Sequence, residues 1–343
     1  MLSVLDRARA GWCDLCPMSW PRLAALLALV LLPLLVAAVP VCAQSTSTTW
    51  QSVFGPSLQR TANSALAVMG YATVPDGTAS DLSISQGQDR TGLLMGQLGT
   101  GFNISESVPL FLEGYLGYSR YDPLFVATLG TESTRLPIRW NSVSTTIGIG
   151  WSFPVTDRIQ LRPILNGSLG YLGSDLALAG NVLQYLTGVD IKLLDRGQLV
   201  AAGLGGAMVL AWYDYRPEWE FEAELRYSRM QLQSIPGTTD GLTYRAENGA
   251  IGLWTRYRWP TGREAYGRPI RYVLEGLHSQ FLYDQRGALG FNSLTKIGGG
   301  LELDMGRQEM GAMGLYLQRL RIMGRIVFGE DVSGYSIGIG MSF

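Results

Sequence analysis

The stretch Val332-Ser-Gly-Tyr-Ser-Ile-Gly-Ile-Gly-Met-Ser-Phe343 decides the fold. Tyr335, Ile337, Ile339, Met341 and the terminal Phe343 share one parity, and Ser336, Gly338, Gly340 and Ser342 fill the other. Successive side chains of a strand point to opposite faces, so this is a strand with one oily face and one nearly bare face. A chain ending on an aromatic residue after such a dyad repeat has the pattern of a strand that closes an outer-membrane β-barrel. The five residues of the oily parity are expected to be the signal read by the barrel-assembly machinery.

The other end of the chain agrees. Arg7, Arg9 and Arg22 precede an apolar run, Leu23 to Val39, broken only by Pro33; Val41-Cys42-Ala43 then offers a small-residue cleavage site before Gln44. Residues 1–43 therefore read as a signal peptide, and export through the periplasm to the outer membrane of a Gram-negative bacterium is expected. All three cysteines (Cys13, Cys16 and Cys42) lie in that leader, so no disulfide framework or thiol chemistry is expected beyond it.

A formal net charge of -1 argues against a nucleic-acid partner. No long apolar run follows position 43, which argues against a helical membrane bundle. With 43 glycines, 16 tyrosines and 9 tryptophans, the composition suits strands that alternate large lipid-facing groups with small interior ones. Outer-membrane lipid and lipopolysaccharide are the expected surroundings. Lys192 and Lys296 are the only lysines, and arginine, a rigid fork suited to bidentate pairing, is the cation expected in a packed polar interior.

Working back from the terminus, period-two segments recur at Met313–Phe328, Leu289–Met305, Pro269–Tyr283, Ala246–Trp259, Glu218–Met230, Gln198–Tyr213, Ile159–Tyr171, Ser142–Phe153, Pro109–Ser119 and Thr91–Asn103. Closure wants an even count, and Ser64–Val74 is the candidate for one more strand, although its alternation is poor. The expectation is an all-β, transmembrane antiparallel β-barrel of outer-membrane type with about twelve strands. It would occupy residues 64–343, and residues 44–63 would form a short segment that could line the pore as a helix. Short links alternate with longer ones near 120–141, 173–197 and 231–245, which places the short ones at the periplasm. Aromatics near the strand ends, among them Tyr121, Trp151, Trp212, Tyr213, Trp254 and Trp259, read as two interfacial girdles.

Candidate functional residues follow from charge parity. Glu218, Glu220, Glu222, Glu224 and Arg226 share one face of a strand whose other face is Trp219, Phe221, Ala223, Leu225 and Tyr227. Four carboxylates cannot face lipid, so they are assigned to the lumen, with Arg256, Arg258, Arg319, Arg321 and Arg325 as partners on other strands. This lumen charge network is read chiefly as structural, with ion selectivity of an open pore as the other reading.

Catalytic chemistry is hard to build. His278 is the only histidine, and its neighbour Ser279 must point to the opposite face. A rim hydrolase using His278 or loop acids such as Asp175, Asp190 and Asp240 stands as one alternative function, and a narrow porin for small solutes as another. No catalytic residue, metal site or cofactor is assigned.

The residues Leu112-Glu-Gly-Tyr-Leu-Gly-Tyr-Ser-Arg-Tyr-Asp-Pro123, Leu136-Pro-Ile-Arg-Trp-Asn141, Gly148-Ile-Gly-Trp151 and Leu161-Arg-Pro-Ile164 resemble the solitary outer-membrane autotransporter-like β-barrel domain family. The resemblance implies a twelve-stranded translocator-type barrel without a passenger domain. The resemblance adds architecture more than activity; the expected role is non-enzymatic, in transport, secretion or envelope organisation, with the secreted or transported partner unknown.

Overall fold

The computed structural model describes residues 78–86, 89–104, 108–121, 125–129, 132–136, 139–174, 198–235, 245–288, 290–309 and 316–342. The expected leader, the segment 44–63, the expected strand Ser64–Val74 and Phe343 lie outside the described residues.

Every described element is a strand: β1 (Thr78–Gln86), β2 (Asp89–Asn103), β3 (Leu110–Tyr121), β4 (Phe125–Leu129), β5 (Glu132–Leu136), β6 (Trp140–Trp151), β7 (Phe153–Pro154), β8 (Ile159–Ser174), β9 (Gln198–Tyr215), β10 (Glu220–Ser234), β11 (Arg245–Ala265), β12 (Arg268–Tyr283), β13 (Ser293–Glu309), β14 (Tyr316–Phe328) and β15 (Val332–Ser342). Twelve long strands pair antiparallel in the circular order β1-β2-β3-β6-β8-β9-β10-β11-β12-β13-β14-β15, and β15 returns to β1 to close the cylinder. Closure removes the free edges on which other chains could add. β7 is a two-residue extension on β8, and β4 and β5 form a separate hairpin in the link between β3 and β6.

The closing strand is Thr78–Gln86, nearer to β2 than the sequence pattern suggested. Ser80, Leu82 and Ile84 pair in register with Ser336, Gly334 and Val332 of β15. Its only large apolar residues are Leu82 and Ile84, set between Asp81, Ser83 and Ser85.

One end of the cylinder carries the short turns. β11 and β12 meet at Tyr266-Gly267, where both residues have positive φ (54° and 68°), the conformation of a two-residue turn that follows strand twist. The other end carries the longer links, and apolar side chains cluster inside it. Ile84, Leu93, Phe281, Leu294, Val327 and Val332 pack into one cluster with Phe291, whose ring meets Phe281 edge-on at 5.9 Å. Phe291 precedes β13, which starts at Ser293, and so belongs to the link between β12 and β13. A second cluster at the same end joins Leu172, Leu199, Met230, Leu232 and Ala246.

A charged lumen as the candidate functional site

The outer wall is apolar where a soluble protein would be polar. Leu98, Ile147, Leu204 and Ile326 are 65%, 68%, 65% and 62% exposed, each at mid-strand on the face away from the lumen. Polar and ionised groups are buried instead: Glu113, Arg162, Glu222, Arg256, Arg258, Glu275 and Glu302 all sit inside. This inversion is the physical signature of a barrel solvated by hydrocarbon.

On β10 the even-numbered residues point inward and define the site. Glu220 pairs in register with Arg258 of β11, and Glu222 with Arg256. Arg258, with a side chain only 1% exposed, donates to Glu222 at 2.8 and 2.9 Å, to Glu220 at 3.1 Å and to Glu302 of β13 at 3.2 Å. Arg256 donates to Glu275 of β12 at 2.7 Å and to Glu222 at 3.3 Å, while its guanidinium lies 4.2 Å from the Trp254 ring. From β14, Arg319 reaches Glu220 with both terminal nitrogens at 2.6 and 3.0 Å, and Arg321 donates to Glu302 at 3.2 Å. Glu302 is wholly buried and shared by Arg258, Arg319 and Arg321. An unpaired charge in this position would cost several kcal/mol (about 3–5), so the density of partners is what permits it.

Two bridges span a strand by running over a glycine. Gly298 of β13 lies in register between Glu275 of β12 and Arg325 of β14. Arg325 crosses it to donate from Nε at 2.8 Å and from a terminal nitrogen to the same Glu275 oxygen. A Cβ at Gly298 would stand 2.7 Å from the Arg325 Cγ. Gly148 of β6 plays the same part between Glu113 of β3 and Asn166 of β8, whose amide donates to Glu113 at 2.6 Å.

Glu113 then receives a second wall. Arg226 of β10 donates to both of its oxygens, at 2.9 and 2.7 Å, and Tyr115 adds a hydroxyl at 2.9 Å. β3 and β10 are separated by β6, β8 and β9, so this pair is a chord through the interior and not a rung along the wall. Arg319 to Glu220 makes a comparable chord from β14 to β10. Tyr213 and Tyr215 donate to Glu224 and Glu222, each at 2.8 Å.

Nine of the ten residues assigned to the lumen from sequence thus face inward. Glu218 does not: it is exposed in the turn between β9 and β10, because β10 starts only at Glu220. Pro217 in that turn lacks the N–H a continuing ladder would need. Sequence reasoning missed Glu113, Arg271, Glu275, Glu302 and Asp304, although the inward parity of Arg271 and Glu275 was visible. Arg271 links Glu220 to Asp304, the latter at 2.9 Å. Tyr121, Tyr213 and Trp254, read as girdle rings, turn inward instead: Tyr121 joins the apolar cluster and the Trp254 N–H donates to Glu275 at 2.8 Å.

His278 lies on the outer wall, its Nδ1 2.9 Å from the Thr295 hydroxyl, while Ser279 is buried on the inner face. Asp175, Asp190 and Asp240 lie outside the described residues. In the terminal strand Tyr335, Ile337 and Ile339 face outward; Met341 pairs in register with Leu320.

An apolar exterior, a charged interior and a closed twelve-strand sheet together define an integral β-barrel of outer-membrane type. Solved structures similar to this chain include the β domain of the Bordetella autotransporter BrkA (14% identity, 78% of this chain and 96% of that chain, TM-score 0.41). The translocator domain of autotransporter NalP from Neisseria meningitidis follows at 12% identity, covering 85% of this chain and 99% of that chain with a TM-score of 0.39. The transport unit of the autotransporter AIDA-I from Escherichia coli shares 12% identity over 82% of this chain and 98% of that chain, also at 0.39. No protein-family model and no curated protein sequence matches the chain.

Proposed function

We propose that this chain is a translocator-type barrel of the Gram-negative outer membrane, acting in transport, secretion or envelope organisation without a chemical step of its own. In its resting state the lumen is shut to small hydrophilic solutes. The Arg226–Glu113 chord carries this reading: a bidentate ion pair between strands four apart around the wall occupies space that a porin leaves to water. The apolar cluster around Phe281 and Phe291 supports it from the end with the longer links, taken here as the cell exterior. Lipid and lipopolysaccharide surround the apolar wall, the assembly machinery reads the terminal strand, and residues 1–43 are removed on export. A non-enzymatic role is favoured by the opposite facing of His278 and Ser279, which prevents the two from forming a dyad.

The test is single-channel recording in planar bilayers of the purified, refolded protein. Wild type is expected to give rare, small openings, and Arg226→Ala more frequent and larger ones. A steady, large and ion-selective conductance from wild type would replace this reading with that of an open porin. Lipid hydrolysis abolished by His278→Ala would replace it with that of a rim enzyme.

A further inference from the structure

Outside the lumen, where β8 meets β9 at the short-turn end, a surface recess of ≈ 530 Å³ is lined by Thr156, Asp157, Arg158, Ile159 and Trp212. Its floor is a built turn. The Thr156 hydroxyl accepts the backbone N–H groups of Arg158 (3.3 Å) and Ile159 (3.0 Å), and the Ile159 carbonyl accepts those of Val155 (2.8 Å) and Thr156 (3.1 Å). Ile159 pairs in register with Trp212, and the Tyr213 N–H donates to the Arg158 carbonyl at 2.9 Å, so the turn is tied to β9. The Trp212 indole stands on the outer wall, edge-on to Phe221 at 5.2 Å, the position of an interfacial aromatic.

The charges in the recess are mixed. Arg158 rests one terminal nitrogen on Asp214 at 3.3 Å and keeps its side chain 56% exposed. Asp214 is shared with Arg216, and Asp157 adds a second carboxylate at the recess itself. A purely anionic ligand would meet Asp157, and a purely cationic one would meet Arg158. A zwitterion carrying a phosphate beside a primary ammonium matches the adjacent Arg158 and Asp157 at once. Beyond the recess, Leu161 and Leu210 pair in register on the same wall and are apolar.

We propose that this recess holds the headgroup of a phosphoethanolamine-bearing bilayer phospholipid from the leaflet at the short-turn end. Its phosphate accepts from the Arg158 guanidinium, its ammonium donates to the Asp157 carboxylate, and an acyl chain follows Trp212, Leu210 and Leu161. The inference rests on the membrane-barrel reading above, and the experiment separates the two.

The full-length protein is reconstituted into vesicles of equal parts phosphatidylethanolamine, phosphatidylcholine and phosphatidylglycerol, and the lipids retained after extraction are counted by native mass spectrometry. Wild type is expected to keep phosphatidylethanolamine several-fold over the other two, because the N-methylated ammonium of phosphatidylcholine cannot donate and phosphatidylglycerol carries no cation. Asp157→Asn erases the preference over phosphatidylcholine. Arg158→Gln lowers retention of all three by about tenfold, the scale of one charge-assisted hydrogen bond. Equal retention of the three lipids by wild type, or a preference unchanged in both variants, overturns the proposal. Insertion is read separately, by resistance of the vesicle-bound protein to alkaline extraction. A wild type that fails to insert removes the barrel reading, and one that inserts without lipid preference removes the headgroup site alone.

Discussion

Arg226 on β10 holds Glu113 on β3 by two parallel N–H donations, 2.9 and 2.7 Å, across the bore of the barrel. The residues are 113 positions apart in the chain and three strands intervene on the shorter way round the wall. Their side chains are 12% and 1% exposed. Arg226→Ala leaves a carboxylate with Asn166 and Tyr115 but no countercharge, and is expected to destabilise by roughly 3–5 kcal/mol. Thermal unfolding in detergent, followed by the gel shift between folded and unfolded protein, reads this directly. The pair replaced together, Glu113→Leu with Arg226→Met, should recover most of the loss, since a buried ion pair is often no more stable than a packed apolar one.

The glycine beneath the Glu113–Asn166 bond gives a second expectation. A Cβ at Gly148 would lie 2.5 Å from the Asn166 amide nitrogen and 2.6 Å from Glu113 Cγ, whereas one at Gly114, beside Glu113 in β3, would meet nothing within 4 Å. Gly148→Ala should therefore lower stability by about 1–3 kcal/mol, the scale of overpacking, while Gly114→Ala stays near wild type. The same unfolding assay on both variants decides it. Equal effects would mean that the bridge over β6 is not formed.

The inside-out wall predicts an asymmetry between neighbours on one strand. Ile337 is 60% exposed on the outer face of β15, and Ser336 is buried on the inner one. Ile337→Arg should cost about 2–4 kcal/mol in a bilayer, the scale for a charge at mid-depth. Ser336→Ala should change stability by less than about 1 kcal/mol, because its buried hydroxyl has no hydrogen-bond partner among the described residues to lose. Unfolding titrations in lipid vesicles compare the two. A harmless Ile337→Arg would place β15 in water.

Phe291 ties the link between β12 and β13 to the apolar cluster, meeting Phe281 at 5.9 Å. Phe291→Ala removes that contact and is expected to cost about 3–5 kcal/mol locally. It should also open the bore from that end. A cysteine introduced at Ser279→Cys, buried in wild type, should react with a membrane-impermeant thiol reagent at least several-fold faster in the Phe291→Ala background. An unchanged rate would show that Phe291 does not guard the entrance.

Most of the architecture was legible because a barrel strand repeats one message every two residues. Ile147, Ile149 and Trp151 against Gly148, Gly150 and Ser152 could be read without any partner. The closing strand was not, since Leu82 and Ile84 are its only large apolar residues and Leu66, Val68 and Ala72 compete nearby. For the charge network, the row from Glu220 to Arg226 and the arginines facing it were visible as parities, but the individual pairings were not. Which carboxylate meets which arginine is settled by register around the cylinder: Glu275 reaches Arg325 only because Gly298 falls between them. Glu113, isolated among apolar and glycine neighbours, showed nothing of its pairing. Glu218 shares the row's parity but lies before the strand begins.

The joint between β1 and β15 has seven registered pairs, against fifteen between β11 and β12. It is also the joint that unites the two extremes of the described sheet, so forming it demands the longest loop closure for the smallest return in backbone hydrogen bonds. Birth of the cylinder is therefore asymmetric in time: the broad ribbon from β8 to β14 can zip locally, and sealing comes last. Anything that frays β1, which pairs with β15 at only seven positions, would be felt first as slow or incomplete maturation and only later as a weaker finished protein.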